Sequence, residues 1–134
     1  MIVGLPGSGK TSFAKKLVNE SRTPMFLATD FSAHMDDILS EFNPSKYHQI
    51  VVTDPMLCGI PQESAEDTML EMFRFTRNKT KFTWIYFEND AEACIVNTHK
   101  TPRLENLDNF IHIQSKKYTI PEGSNILPVY RVLH

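Results

Sequence analysis

One stretch near the start of the chain combines glycines, a lysine and a hydroxyl group in a spacing that suits phosphate chemistry. Residues 4–11 run Gly-Leu-Pro-Gly-Ser-Gly-Lys-Thr. The glycines allow a tight turn in which backbone N–H groups converge on one anion. Lys10 would place positive charge beside the β- and γ-phosphates, and Thr11 would offer a hydroxyl to Mg²⁺. The stretch is therefore predicted to be a P-loop that binds ATP and Mg²⁺.

The sequence on both sides of this loop supports that interpretation. An apolar run at residues 1–3 precedes it, and apolar residues at helical spacing follow from Ser12 to Asn19, so the loop would join a strand to a helix whose positive end faces the anion. A glycine-rich turn that happens to precede Lys-Thr is the alternative. The predicted nucleotide contacts are Gly4, Pro6, Gly7, Ser8, Gly9, Lys10, Thr11 and Ser12.

Two aspartates follow apolar runs and are candidates for the remaining chemistry. Asp54 follows the run at residues 49–53, where P-loop proteins keep a carboxylate that orients Mg²⁺. Its alternative role is to cap the turn before Pro55. Asp30 follows the run at residues 25–28 and could take the proton of a hydroxyl acceptor, or it could cap the next helix.

A compact basic segment could supply positive charge to the transferring phosphoryl group. It contains His99, Lys100 and Arg103, with Pro102 interrupting it. Arg103 is the predicted catalytic cation, because a guanidinium can contact phosphate oxygens through two parallel hydrogen bonds. A solvated charged loop is the alternative.

The elements that must position these residues alternate along the chain. Apolar runs predict strands near residues 1–4, 25–28, 49–53, 81–87 and 126–133. Helical spacing predicts helices at residues 12–19, 32–42, 62–75, 91–98 and 104–114. This alternation predicts an α/β fold with a parallel sheet covered by helices on both faces. The loop and both aspartates then meet at the carboxyl ends of the strands, while Pro128 places the last strand at a sheet edge.

Length and composition set further limits. A chain of 134 residues with 41% hydrophobic residues is expected to form a single domain over 1–134. No apolar run approaches the ~20 residues of a membrane span, and no signal peptide is predicted before the loop. Two cysteines without metal spacing and a net charge of −2 favour a cytoplasmic protein whose overall charge does not attract nucleic acid.

Over nearly its whole length the chain resembles the polynucleotide-kinase-like P-loop kinases, the 5′-kinase module known from bacteriophage. The resemblance is carried by the P-loop, by Asp30 and Asp54, and by the run from Ile85 to Asp90 that leads towards Arg103. It implies a P-loop NTPase fold with the parallel strand order 2-3-1-4-5. It also implies that Asp30 is the general base and that Asp54 and Thr11 hold Mg²⁺.

The chain departs from that family in two places. The family carries lid arginines where this chain has Asn97-Thr98-His99, and often an arginine beyond the catalytic aspartate where this chain has residues 31–33.

The predicted function is ATP-dependent transfer of the γ-phosphate to a nucleoside, a nucleotide or a nucleic-acid 5′-hydroxyl. A nucleotide-binding regulatory module with little or no transfer activity, or a simple NTP hydrolase, is the alternative.

Overall fold

The computed structural model describes residues 1–100 and 107–129, which form an α/β fold around a five-stranded sheet. The strand order is 2-3-1-4-5 and every neighbouring pair is parallel, as predicted. The strands are β1 (Ile2–Val3), β2 (Met25–Thr29), β3 (Gln49–Thr53), β4 (Ile85–Phe87) and β5 (Asn125–Leu127). The helices of the described residues are α1 (Lys10–Glu20), α2 (Met35–Glu41), α3 (Gln62–Phe73), α4 (Ala91–His99) and α5 (Asp108–Lys117).

Helices cover both faces of the sheet. Successive side chains of a strand point to opposite faces, so each face has apolar side chains of its own. On one face, α1 packs over a small cluster that includes Ile2, Ala14, Val51 and Phe87. On the other face, the remaining helices cover two clusters. One includes Val3, Ala65, Tyr86, Cys94 and Ile111, and the other includes Phe26, Ile38, Val52 and Phe73.

Two predicted strands are wrong in their bounds. The apolar run from 81 to 87 forms a strand only at Ile85–Phe87, because β4 pairs with β1 from Ile85 onward and β1 itself has two residues. The last strand, predicted at 126–133, is Asn125–Leu127. Pro128 follows it and has no amide hydrogen to extend the ladder, while residues 130–133 lie outside the described part of the chain. β5 does lie at a sheet edge, as the proline predicted.

The predicted helix from Ser32 to Phe42 is divided in two. A 3₁₀ turn at Phe31–Ala33 comes first, and α2 begins only at Met35. The turn follows directly from Asp30, whose backbone is left-handed with φ 48°, so the chain changes direction before the α-helix can start. No helix within residues 1–100 and 107–129 is long and apolar enough to cross a membrane.

A buried tyrosine ties the carboxyl ends of two central strands together. The Tyr118 hydroxyl, directly after α5, donates to the carbonyl of Phe87 and lies 3.3 Å from the carbonyl of Val3. Burial raises the pKa of this hydroxyl, so it remains a donor. The residues before the P-loop and before α4 are thereby held side by side.

Replacing Tyr118 with phenylalanine should lower the free energy of unfolding by about 1–2 kcal/mol, because two buried carbonyls lose their shared donor. Chemical denaturation measures the change. Tyr47→Phe is the matched control, since no hydrogen bond of the Tyr47 hydroxyl is found among the described residues. An equal loss in the two variants would contradict a role for the buried hydrogen bond.

Candidate functional site

The predicted P-loop lies between β1 and α1, with α1 beginning at Lys10. Two of its glycines have left-handed backbone, with φ 84° at Gly7 and 99° at Gly9, a region that side chains with a Cβ rarely adopt. Gly9 directly precedes α1, so the loop runs into the positive end of the helix. Thr11 is half-buried at the second position of α1, and Ser12 is exposed.

Lys10 is the most unusual charged residue of the site. Its side chain is 5% exposed, and its Nζ lies 3.4 Å from the carbonyl oxygen of Leu5. Among the described residues, no carboxylate lies within salt-bridge distance of this ammonium. Burial lowers the pKa of Lys10, and the negative charge of Asp30 offsets part of that shift. A buried ammonium that is held by one neutral carbonyl is suited to receive an anion.

The serine of the loop is also buried. Ser8 is 0% exposed, its N–H donates to the Leu5 carbonyl at 3.0 Å, and its hydroxyl has no hydrogen-bond partner among the described residues. The Leu5 carbonyl therefore accepts from both the Ser8 amide and Lys10. A turn with left-handed glycines, a helix N-terminus and a buried lysine fits a phosphate group.

Helix α4 packs directly against this loop, a contact that the sequence did not predict. A Cβ on Gly7 would lie 2.5 Å from the carbonyl oxygen of Cys94 and 2.9 Å from the Thr98 methyl group. The side-chain amide of Asn97 donates to the Gly7 carbonyl at 2.9 Å. The Asp90 carboxylate caps α4 by accepting from the Ala93 amide at 3.0 Å.

Both cysteines are free thiols in the core near the loop. Burial raises the pKa of Cys58 to about 12, so this thiol is neutral at physiological pH. It therefore does not provide a negative charge that could pair with the Lys10 ammonium.

Asp54 follows β3 and has both carboxylate oxygens engaged by backbone amides. Oδ1 accepts from the Met56 N–H at 3.0 Å, and Oδ2 accepts from the Ser32 N–H at 2.7 Å. The first bond caps the 3₁₀ turn at Pro55–Gly59, and the second connects the end of β3 to the turn that follows β2. Each oxygen keeps a further lone pair, so these bonds are compatible with a water of a magnesium shell.

Asp30 lies at the end of β2, and its side chain makes no cap or other hydrogen bond among the described residues. Its amide hydrogen points to the Thr53 hydroxyl at 3.4 Å, which places Asp30 beside the end of β3. Left-handed backbone is uncommon for a residue with a side chain, although aspartate adopts it more readily than most. A half-buried carboxylate with this backbone near Lys10 is the kind of outlier that marks functional sites.

The structure thus brings the predicted P-loop, Asp30 and Asp54 to one edge of the sheet, as the strand pattern predicted. Arg103, the predicted catalytic cation, lies outside the described residues. His99 ends α4 and contacts Asp108 at the start of α5, with 2.8 Å between its Nε2 and Oδ1. Lys100 directly follows that helix.

Within the described part of the chain, no group of three or more His, Cys, Asp or Glu side chains could hold a metal ion. Mg²⁺ in phosphate-transfer sites commonly takes only one or two protein ligands, together with phosphate oxygens and waters. The Thr11 hydroxyl and, behind it, Asp54 are the predicted contacts for the ion.

Comparison of the chain with protein-family models, with curated proteins and with solved structures finds no match.

If the loop binds Mg·ATP as the sequence predicts, replacing Lys10 with methionine should abolish that binding, and the replacement should also stabilise the fold. Because the variant no longer buries a charge without a carboxylate partner, its free energy of unfolding should rise by about 1 kcal/mol or more. Thermal denaturation with and without Mg·ATP measures both effects. The exposed Lys15 of α1 provides the control variant Lys15→Met. A Lys10→Met protein that Mg·ATP still stabilises would refute the assignment.

Proposed function

We propose that this protein is an ATP-dependent phosphotransferase with a P-loop NTPase fold. It transfers the γ-phosphate to the hydroxyl of a nucleoside, of a nucleotide or of a nucleic-acid 5′ end. The observation that carries the proposal is the buried Lys10 ammonium beside a helix N-terminus, whose only close partner among the described residues is the Leu5 carbonyl. A triphosphate would supply the missing negative charge.

The roles of the other loop residues follow from their positions. Loop amides at the start of α1 bind phosphate oxygens, and Lys10 moves from the Leu5 carbonyl to the β- and γ-phosphates. The Thr11 hydroxyl would hold Mg²⁺, with Asp54 behind it, and the ion would supply positive charge to the phosphates.

Asp30 is the residue that separates a kinase from a simple binding site. Its carboxylate caps no helix, makes no hydrogen bond among the described residues, and is the charge that acts most strongly on Lys10. A base at this position accepts the proton of an acceptor hydroxyl as that oxygen attacks the γ-phosphate. Arg103 completes the proposal as the cation that neutralises the transferring group.

A nucleotide-binding module without transfer activity is the second candidate, and the geometry of Asp54 favours it. Both oxygens of this carboxylate already accept backbone hydrogen bonds. Capping the turn is therefore enough to explain why an aspartate occupies position 54. In such a module Lys10 and the loop would bind nucleotide while Asp30 would have no acceptor to deprotonate.

Transfer from γ-labelled ATP to a panel of nucleosides, nucleotides and 5′-hydroxyl oligonucleotides distinguishes these candidates. With the best acceptor, Asp30→Asn should lower the transfer rate by about 10²–10⁴-fold, because the amide cannot accept the proton. Its affinity for ATP should change far less than the rate, since Asp30 forms no hydrogen bond or ion pair with Lys10. Asparagine also tolerates left-handed backbone, so the fold is retained.

Asp36→Asn is the matched control, because it removes the same charge from an exposed position at the start of α2. It should transfer phosphate at the wild-type rate. A wild-type rate for Asp30→Asn would refute the base assignment. ATP binding without phosphorylation of any acceptor in the panel would favour the nucleotide-binding module.

A further inference from the structure

One peptide group of the loop, between Gly7 and Ser8, is held by hydrogen bonds at both of its ends. Its carbonyl accepts from the side-chain amide of Asn97 at 2.9 Å, and its N–H donates to the Leu5 carbonyl at 3.0 Å. The same Leu5 carbonyl is the partner of Lys10. Rotating the peptide would break both bonds and would change the surroundings of the lysine.

Rotating this peptide changes ψ of Gly7 and φ of Ser8. On the Gly7 side the resistance is small, because glycine adopts left-handed and right-handed backbone with similar ease. The orientation of the peptide therefore depends on its hydrogen bonds, one to the Leu5 carbonyl within the loop and one from outside the loop. Within the described residues, Asn97 is the side chain whose hydrogen bond provides such a contact.

The position of Asn97 is itself well fixed. It lies in the last part of α4, is 8% exposed, and follows the Cys94 carbonyl that leaves no space for a Cβ on Gly7. The helix is anchored at its start by the Asp90 cap. A buried amide on a rigid helix is a suitable device for holding a flexible loop in one conformation.

We propose that Asn97 is a positioning residue that holds the Gly7–Ser8 peptide in the orientation in which the loop binds the phosphates of its nucleotide. This inference rests on the proposed nucleotide site and adds a residue of α4 to it. Without Asn97 the loop samples other peptide orientations, and the binding-competent fraction falls. The loss should be seen with the phosphates, because the Asn97 amide donates to the loop that would bind them.

Calorimetry with two ligands, Mg·ATP and inorganic tripolyphosphate, tests this role. Asn97→Ala should weaken both ligands by a similar factor, about 3- to 10-fold, as expected for the loss of one hydrogen bond. Asn97→Asp has nearly the same shape but presents a carboxylate to the Gly7 carbonyl and to the phosphates. It should weaken both ligands further, which separates the donor from the packing volume.

Asn89→Ala is the matched control. The Asn89 amide also donates to a backbone carbonyl, that of Ser115, at 2.9 Å, but it connects the β4–α4 turn to α5. This variant should bind both ligands as the wild type does. In the free protein, amide hydrogen exchange at Ser8 should accelerate in Asn97→Ala and stay unchanged in Asn89→Ala, because only the former releases the loop peptide.

Unchanged affinities and unchanged Ser8 exchange in both Asn97 variants would overturn the proposal and leave the proposed function intact. Equal weakening in Asn97→Ala and Asn89→Ala would also overturn it, since the effect would then be a general loss of stability. A wild-type protein that binds neither ligand would contradict the nucleotide site and, with it, the role of Asn97.

Discussion

The arrangement of the site depends on one buried charge. Lys10 brings an ammonium group into a part of the fold where its close partner is the Leu5 carbonyl, with no carboxylate close enough to form an ion pair among the described residues. Burial of a charge is costly unless the charge is paired. The Leu5 carbonyl offsets that cost only in part, which is why we propose that an anion binds at this point.

Side-chain contacts with backbone groups hold together the other turns at the carboxyl edge of the sheet. Asp54 connects the ends of β2 and β3 by accepting hydrogen bonds from Ser32 and Met56. Tyr118 connects the ends of β1 and β4. These contacts fix the positions of three segments relative to one another: the loop, the turn with Asp30, and the start of α4. The candidate functional residues thus lie on short turns that the sheet holds in register.

Much of this arrangement could be predicted from the sequence. The loop spacing is local, and an apolar run followed by an aspartate identifies the ends of β2 and β3 without any tertiary information. Parallel strands then bring Asp30 and Asp54 to one edge. Asp54 shows the limit of such reasoning. It caps the turn at Pro55–Gly59, which was its alternative role, and its contact with magnesium stays a prediction.

Other features depend on neighbours that a sequence pattern does not reveal. Residues 81–87 have the composition of one long strand, but only Ile85–Phe87 lie beside paired residues of β1 and β5. The division of the helix after β2 follows from the left-handed backbone of Asp30. The contact of Asn97 with Gly7 joins residues 90 positions apart, so no local signal could have indicated it.

A crystal structure with a non-hydrolysable Mg·ATP analogue would show whether the buried Lys10 ammonium is the phosphate-binding group. We expect the triphosphate to lie against the backbone amides that lead into α1. We also expect the Lys10 Nζ to have left the Leu5 carbonyl for the phosphate oxygens. An analogue bound elsewhere on the molecule, with Lys10 still on the Leu5 carbonyl, would contradict it.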